Sequence, residues 1–352
     1  MMRTIWLLPL LLVASPAWAF YQGEVVGGDL EVRGLFYASG GDLAGRRFAA
    51  GQTRLILDGD VNMGDLPLHL EYHPVFQHAT NSTPRNLERT DRLNISYSGE
   101  KLQLKVGRQA INLATAFFFS PNDLFQPFAA QTLNRDFKQG VDGITATLAF
   151  GGLSQCSALL VRSGGLRPSA VVRLESALED VSWSLLAGEL NSPPQGFLPV
   201  SSQRIMGGSL QTDIGDLLGL RAEGHLSQDH AQQSHRRFAE WTVSLEHRWE
   251  SGANLNVEWF QHGSRTPSLQ LPYSGRNYFG MALSHELTPL LSGSLNLIQN
   301  NSDHSRLQTA QLLYSLSNES TLAIYGVQPS GRSGSEFQQY PRLISAEYQL
   351  YF

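Results

Sequence analysis

A single cysteine, Cys156, stands in the whole chain, so no internal disulfide can form in any compartment. A covalently held c-type haem needs Cys-x-x-Cys-His, which one cysteine cannot supply. Charge is sparse as well: 16% of residues are charged, against about 25% in an ordinary soluble domain. The 26 basic and 31 acidic residues leave a formal net charge of −5, and this mild acidity offers nothing to a nucleic-acid backbone. Long apolar runs are missing too. After residue 19 the longest unbroken aliphatic stretch is residues 158–161, where a membrane helix needs about 20 apolar residues. That excludes a helical membrane protein. It does not exclude a β-barrel, whose strands turn only alternate side chains to lipid.

The first residues carry an address. A basic start (Met1 to Arg3), an apolar run from Ile5 to Val13 and the small-residue site Ala17-Trp18-Ala19 have the pattern of a cleavable secretory signal over residues 1–19. The mature chain is then expected to begin at Phe20 and to form one domain, residues 20–352, because no linker or composition break divides it. No cysteine stands directly after the site, so a lipoprotein anchor is not expected.

The rest of the chain is a series of short alternating segments. At residues 66–77, Leu66, Leu68, Leu70 and Tyr72 alternate with His69, Glu71 and His73. At residues 217–227, Leu218, Leu220, Ala222 and Leu226 oppose Arg221, Glu223 and His225. A strand places successive side chains on opposite faces, so each segment has one apolar and one polar face. Eighteen such segments are predicted, from residues 28–39 to residues 341–352. Those over 156–161, 203–213 and 277–286 alternate poorly, which keeps 16 strands open as the alternative. Connections are alternately tight (Gly151-Gly152, residues 250–252) and long (residues 191–202, 263–276, 328–340), the asymmetry of a membrane barrel. Tyr72, Tyr97, Trp183, Trp241, Trp249, Trp259 and Tyr348 fall on the apolar phase near strand ends, where an interfacial aromatic girdle belongs. The expected fold is therefore all-β: a transmembrane antiparallel β-barrel. Its last segment sets Ile344, Ala346, Tyr348, Leu350 and Phe352 on one side and Ser345, Glu347 and Gln349 at the polar phase, with Arg342 near it. This stretch resembles the closing strand of bacterial outer-membrane barrels, whose final Phe addresses the assembly machinery. The resemblance implies the outer membrane of Gram-negative bacteria as destination and the lipid bilayer as surroundings.

One interruption breaks the rhythm. Residues 107–140 form a connection far longer than any other, and it carries Phe117, Phe118, Phe119, Phe125, Phe128 and Phe137. Long loops in compact folds are usually functional, and an aromatic one is best sheltered inside the lumen as a constriction. Pro121-Asn122-Asp123 predicts a turn that caps a short helical piece over residues 123–130. The runs Gly107-Arg108-Gln109-Ala110-Ile111-Asn112, Ser120-Pro121-Asn122-Asp123-Leu124-Phe125-Gln126-Pro127-Phe128 and Gly140-Val141-Asp142 resemble the inserted loop of alginate-export-like outer-membrane porins. A similar segment occurs in the barrel partners of porin–cytochrome conduits. Leu113-Ala114 stands where such loops often have Trp-Gly. The resemblance implies a porin, or a sheath around a multihaem cytochrome.

Arg108 and Asp142 close the two ends of this loop and are expected to pair across neighbouring strands; they share the outward parity of Val106 and Ile144, so turning inward needs a bulge at Gly107 or Gly143. Asp123, Phe125, Arg135, Asp136 and Lys138 are candidates to shape and charge the narrowest part. The expected lumen face carries Arg33, Arg54, Asp58, Asp60, His69, Glu71, His73, Arg92, Lys105, Arg173, Arg221 and Glu223. His69 and His73 lie about 13 Å apart along an extended chain, too far to share one metal ion, so neither metal nor cofactor is expected. Ser244 near His225 matches no hydrolase motif, and no catalytic constellation is legible. The sequence thus points to a channel for small polar or charged solutes rather than an enzyme, with identical subunits or a cytochrome as open partners.

Overall fold

The computed structural model describes residues 30–43, 46–63, 66–80, 87–128, 132, 135, 137–162, 167–192, 201–215, 218–229, 237–263 and 273–351. Residues 1–19, where a secretory signal is expected, lie outside these residues, as do Asp136 and Phe352. The strands are β1 (Leu30–Leu43), β2 (Arg46–Met63), β3 (Leu66–Thr80), β4 (Leu87–Ser98), β5 (Leu102–Gln109) and β6 (Val141–Gly151). They continue with β7 (Ser154–Arg162), β8 (Ser169–Leu178), β9 (Val181–Ser192), β10 (Ser201–Ile214), β11 (Leu218–Asp229) and β12 (Arg237–Arg248). The last six are β13 (Asn254–His262), β14 (Asn277–Thr288), β15 (Leu291–Asn300), β16 (Arg306–Ser317), β17 (Ser320–Ser330) and β18 (Arg342–Tyr351).

Each strand pairs antiparallel with its sequence neighbours, and β1 also pairs with β18 from Arg33↔Tyr351 to Asp42↔Arg342. The sheet therefore closes on itself as an 18-stranded barrel, which leaves no open edge. Eighteen, not sixteen, is the count. The only helical turn among the described residues is a single 3-10 turn at Phe337–Gln339.

Alternation decides which face each residue takes. On β12, Glu240, Thr242 and Ser244 are buried, whereas Trp241, Val243 and Leu245 are exposed. On β13, Asn256, Glu258, Phe260 and His262 are buried and Trp259 is 41% exposed. Exposed apolar residues recur around the outside: Leu93, Ile95, Leu160, Val172, Leu185, Leu295, Leu312 and Ile344. The β18 phase matches its prediction for Ser345 and Glu347, which are buried, but Arg342 is exposed and shares the outward parity of Ile344.

The poorly alternating strands have an explanation. Leu159, Val161, Val171, Leu186, Leu190 and Ile205 face inward from β7 to β10 and form an apolar cluster with Ile111, Leu113, Leu124 and Phe125 of the β5–β6 connection. A second cluster joins Phe118 and Phe119 of that connection to Phe260, Tyr278, Ala282, Ile298, Leu307 and Val327 of the opposite wall. Where the inner wall receives the loop it is apolar on both faces, and the period of two is masked.

Candidate functional site

The loop between β5 and β6 is built from its entry inward. Gly107 has φ 121°, and a side chain there would run into the Leu93 carbonyl, so only glycine lets β5 approach β4 so closely. Gln109 then ties the loop base to both strands: its Nε2 donates to the carbonyls of Lys105 (3.3 Å) and Gly143 (3.1 Å), and its Oε1 accepts from Thr145 (3.0 Å). Arg108 and Asp142 sit opposite each other in register, 3.4 Å apart and partly exposed. No bulge turns them inward, and they keep the outward parity of Val106 and Ile144.

Further on, the loop backbone is received by two carboxylates of the wall. Glu223 of β11 accepts the amides of Thr115 (2.6 Å), Ala116 (3.2 Å) and Asn122 (3.4 Å) and the hydroxyl of Ser120. Glu258 of β13 accepts the amides of Phe117, Phe118 (2.7 Å) and Phe119 (3.0 Å). A run of backbone N–H groups converging on an ionisable acceptor is a nest, here with the protein's own carboxylates as the anions. Asn122, fully buried, adds a bond from Nδ2 to the Gly208 carbonyl at 2.9 Å.

The rings follow. Phe119 stacks on Phe260 at 5.4 Å and meets Tyr273 edge-on at 5.2 Å. Gly280 of β14 makes room for them: a Cβ there would lie 2.6 Å from the Phe118 ring. The Arg135 guanidinium donates to the Phe117 carbonyl and stands over the rings of Phe117 (5.4 Å), Phe118 (5.7 Å) and Phe128 (5.8 Å).

The described part of residues 123–130 is not helical. Asp123 N donates to Ser120 O at 3.0 Å in a turn, and Gln126 has φ 53°, a left-handed conformation that stops a right-handed helix. Asp123 pairs with Lys138, whose Nζ also donates to the Ile111 carbonyl at 2.5 Å. Both side chains are buried. Desolvation pushes the Asp123 carboxyl up and the Lys138 ammonium down, each opposed by the other's charge. Arg92 holds the Lys138 carbonyl at 2.5 Å, and Arg54 lies over the Phe137 ring at 4.6 Å.

The lumen residues named from sequence face inward, mostly in pairs. Asp58 bonds His73 and Asp60 bonds His69, both at 2.7 Å. Lys105 meets Glu71 at 3.3 Å, Arg173 meets Glu175 at 3.0 Å, and Arg221 meets Glu246 at 2.7 Å. Arg54 and Arg89 share Asp91 at 2.6 and 3.1 Å. Arg33 is also inward and half-buried. Phe125 packs on the β7–β10 wall instead of projecting into open space. Glu223 does face the lumen, but beneath the loop. Sequence reasoning missed Glu258, Ser120 and Asn122; the available signal was a lone carboxylate sharing the inward phase of Asn256 and Phe260. Ser244 sits opposite Arg221 and Glu258, whereas His225 sits opposite Glu240, four positions along the strand. No group of three His, Cys, Asp or Glu among the described residues is placed to hold a metal ion.

No protein-family model matches this chain, and no curated protein matches its sequence. Solved structures do match. OccK5 (OpdH) of Pseudomonas aeruginosa is 10% identical with a TM-score of 0.63, over 92% of this chain and 97% of that one. OccAB1 of Acinetobacter baumannii is 9% identical at 0.63, over 94% and 97%. OccK2 (OpdF) of Pseudomonas aeruginosa, solved in complex with glucuronate, is 11% identical at 0.62, over 92% and 98%. The likeness is one of fold. These neighbours are outer-membrane porins of the Occ type, and nothing in the likeness bears on the alginate-export-like type that the loop motifs resemble.

Proposed function

We propose that this chain is an outer-membrane porin through which small polar solutes diffuse, with the 107–140 loop narrowing the lumen. The observation that carries the proposal is a closed barrel, apolar outside and polar inside, whose longest loop is fastened to the inner wall by Glu223 and Glu258. An apolar exterior with every strand paired is what hydrocarbon demands of a spanning sheet. The Occ structures support the assignment at the level of fold, and the glucuronate in OccK2 supports a solute of monosaccharide size. The reading includes export through the 1–19 signal and assembly through the strand that ends at Phe352. A sheath around a cytochrome is disfavoured, because the chain's own loop takes up lumen space. Purified protein in a planar bilayer is expected to give discrete conductance steps in KCl; a silent bilayer from folded protein overturns the proposal.

A further inference from the structure

A cavity of about 390 Å³ lies between the loop and the inner wall formed by β11 to β16. On the loop side it is lined by Phe117 and Phe118, with Phe117 42% exposed, and by Arg135. On the wall side stand Asn254, Asn256, Asn296, Ser294, Thr309 and Gln311. The size is within the about 300–1,000 Å³ of small-molecule sites, which pair apolar faces with a few placed polar groups.

Charge is sparse here and already engaged. Among the described residues lining the cavity, the charged side chains are Arg135, Arg221 and Glu246. Arg221 and Glu246 neutralise each other at 2.7 Å. The Arg135 guanidinium is committed to the Phe117 carbonyl and three aromatic rings. Elsewhere on the inner wall Arg54, Arg89, Lys105 and Arg173 each lie within 3.3 Å of a carboxylate. A charged solute would have to break such a pair, or draw Arg135 away from its carbonyl and rings, to gain a counterion of its own.

Hydrogen-bonding capacity, by contrast, is plentiful and pre-oriented. Asn296 donates to Thr309 at 3.1 Å, Asn254 to Glu246 at 2.7 Å and Asn256 to Ser244 at 3.0 Å. These bonds fix the amides; the Oδ1 atoms of Asn254 and Asn256 have no protein partner among the described residues but are covered in this conformation, and the partly exposed polar groups are those of Ser294, Asn296, Thr309 and Gln311. Amides and hydroxyls that both donate and accept, set opposite an exposed aromatic ring, suit a molecule with many hydroxyls around an apolar ring face.

We infer that the preferred solute is an uncharged polyhydroxylated molecule, a monosaccharide or polyol, seated between Phe117 and the Asn256–Asn296 wall. The inference rests on the channel reading and deepens it. Swelling of proteoliposomes containing the purified full-length protein tests it, with glucose, sodium glucuronate and glucosamine hydrochloride as size-matched probes. Glucose is expected to enter about fivefold faster than either charged relative, since pore-lining donors and acceptors set selectivity. The variants Asn256→Leu and Asn296→Leu are expected to slow glucose severalfold while KCl conductance persists, which also shows that they fold. Entry of glucuronate or glucosamine as fast as glucose overturns the inference and leaves the channel standing. Unchanged glucose entry in both variants overturns the assigned wall. Absence of both swelling and conductance removes the channel reading and this inference together.

Discussion

At the scale of single residues, the loop is held by acceptors rather than by apolar contact alone. Glu258 alone receives three consecutive amides. Glu258→Gln preserves its shape but leaves one carbonyl oxygen to serve them and removes the charge, a weakening of about 2 kcal/mol given how much stronger hydrogen bonds to charged groups are. The expected result is noisier single-channel current and protease cutting within residues 110–140; current as quiet as the parent's would show that the carboxylate is not the anchor. The Asp123–Lys138 pair makes a second case. Lys138→Met strands a buried carboxylate and is expected to lower stability by about 3–5 kcal/mol, whereas the double change Asp123→Leu with Lys138→Met recovers most of it. Urea unfolding in detergent micelles measures both. Neither arrangement was fully legible in the sequence. Asp123 and Lys138 were visible as loop charges and Glu223 as an inward strand residue, but the partner of each is set by how a long loop folds back. Sequence spacing carries no such information across 101–141 positions.

At the scale of elements, strands were legible wherever one face meets a polar lumen. The 66–77 and 217–227 segments alternate cleanly and correspond to β3 and β11. β7, β10 and β14 blurred because Leu159, Ile205 and Tyr278 face inward to meet the loop, so the pattern reports packing instead of a wet face. Strand ends were underestimated for a related reason. β3 runs to Thr80 instead of residue 77, since backbone pairing continues past the band in which apolar alternation is needed. The loop's own predicted helix failed because Gln126, in the middle of it, takes a left-handed conformation that a right-handed helix cannot continue through. Gly280 supplies a test at this scale. Gly280→Val places carbon where the Phe118 ring sits, 2.6 Å from the nearest ring atom, and neither ring can move far in a packed cluster. The loop is expected to shift off the wall, changing unit conductance about twofold through the altered cross-section. Unaltered conductance would mean that the loop does not bound the current path.

At the scale of the whole molecule, closure is the property on which the rest depends. β1 and β18 stand at opposite ends of the described chain, yet Leu35 faces Gln349 across their ladder. In a Cys156→Ser background, Leu35→Cys with Gln349→Cys is expected to form a disulfide on mild oxidation, since directly opposed Cα atoms in antiparallel strands lie about 4.5–5.5 Å apart. A shift of electrophoretic mobility under non-reducing conditions reports it; no cross-link would mean an open sheet. The count of 18 and the direction of the faces were within reach of sequence because every strand must separate lipid from lumen, a constraint that repeats around the entire circumference.

The partnership between an early loop and late strands also dictates a chronology. The segment leaving β5 rests on Glu223 and Glu258, supplied by β11 and β13 more than a hundred positions downstream. During biogenesis the Phe117-Phe118-Phe119 triplet must therefore wait, unsheltered, until those later strands have joined. A premature stop after β10 would yield an adhesive fragment with its stickiest residues uncovered, in place of a smaller working pore.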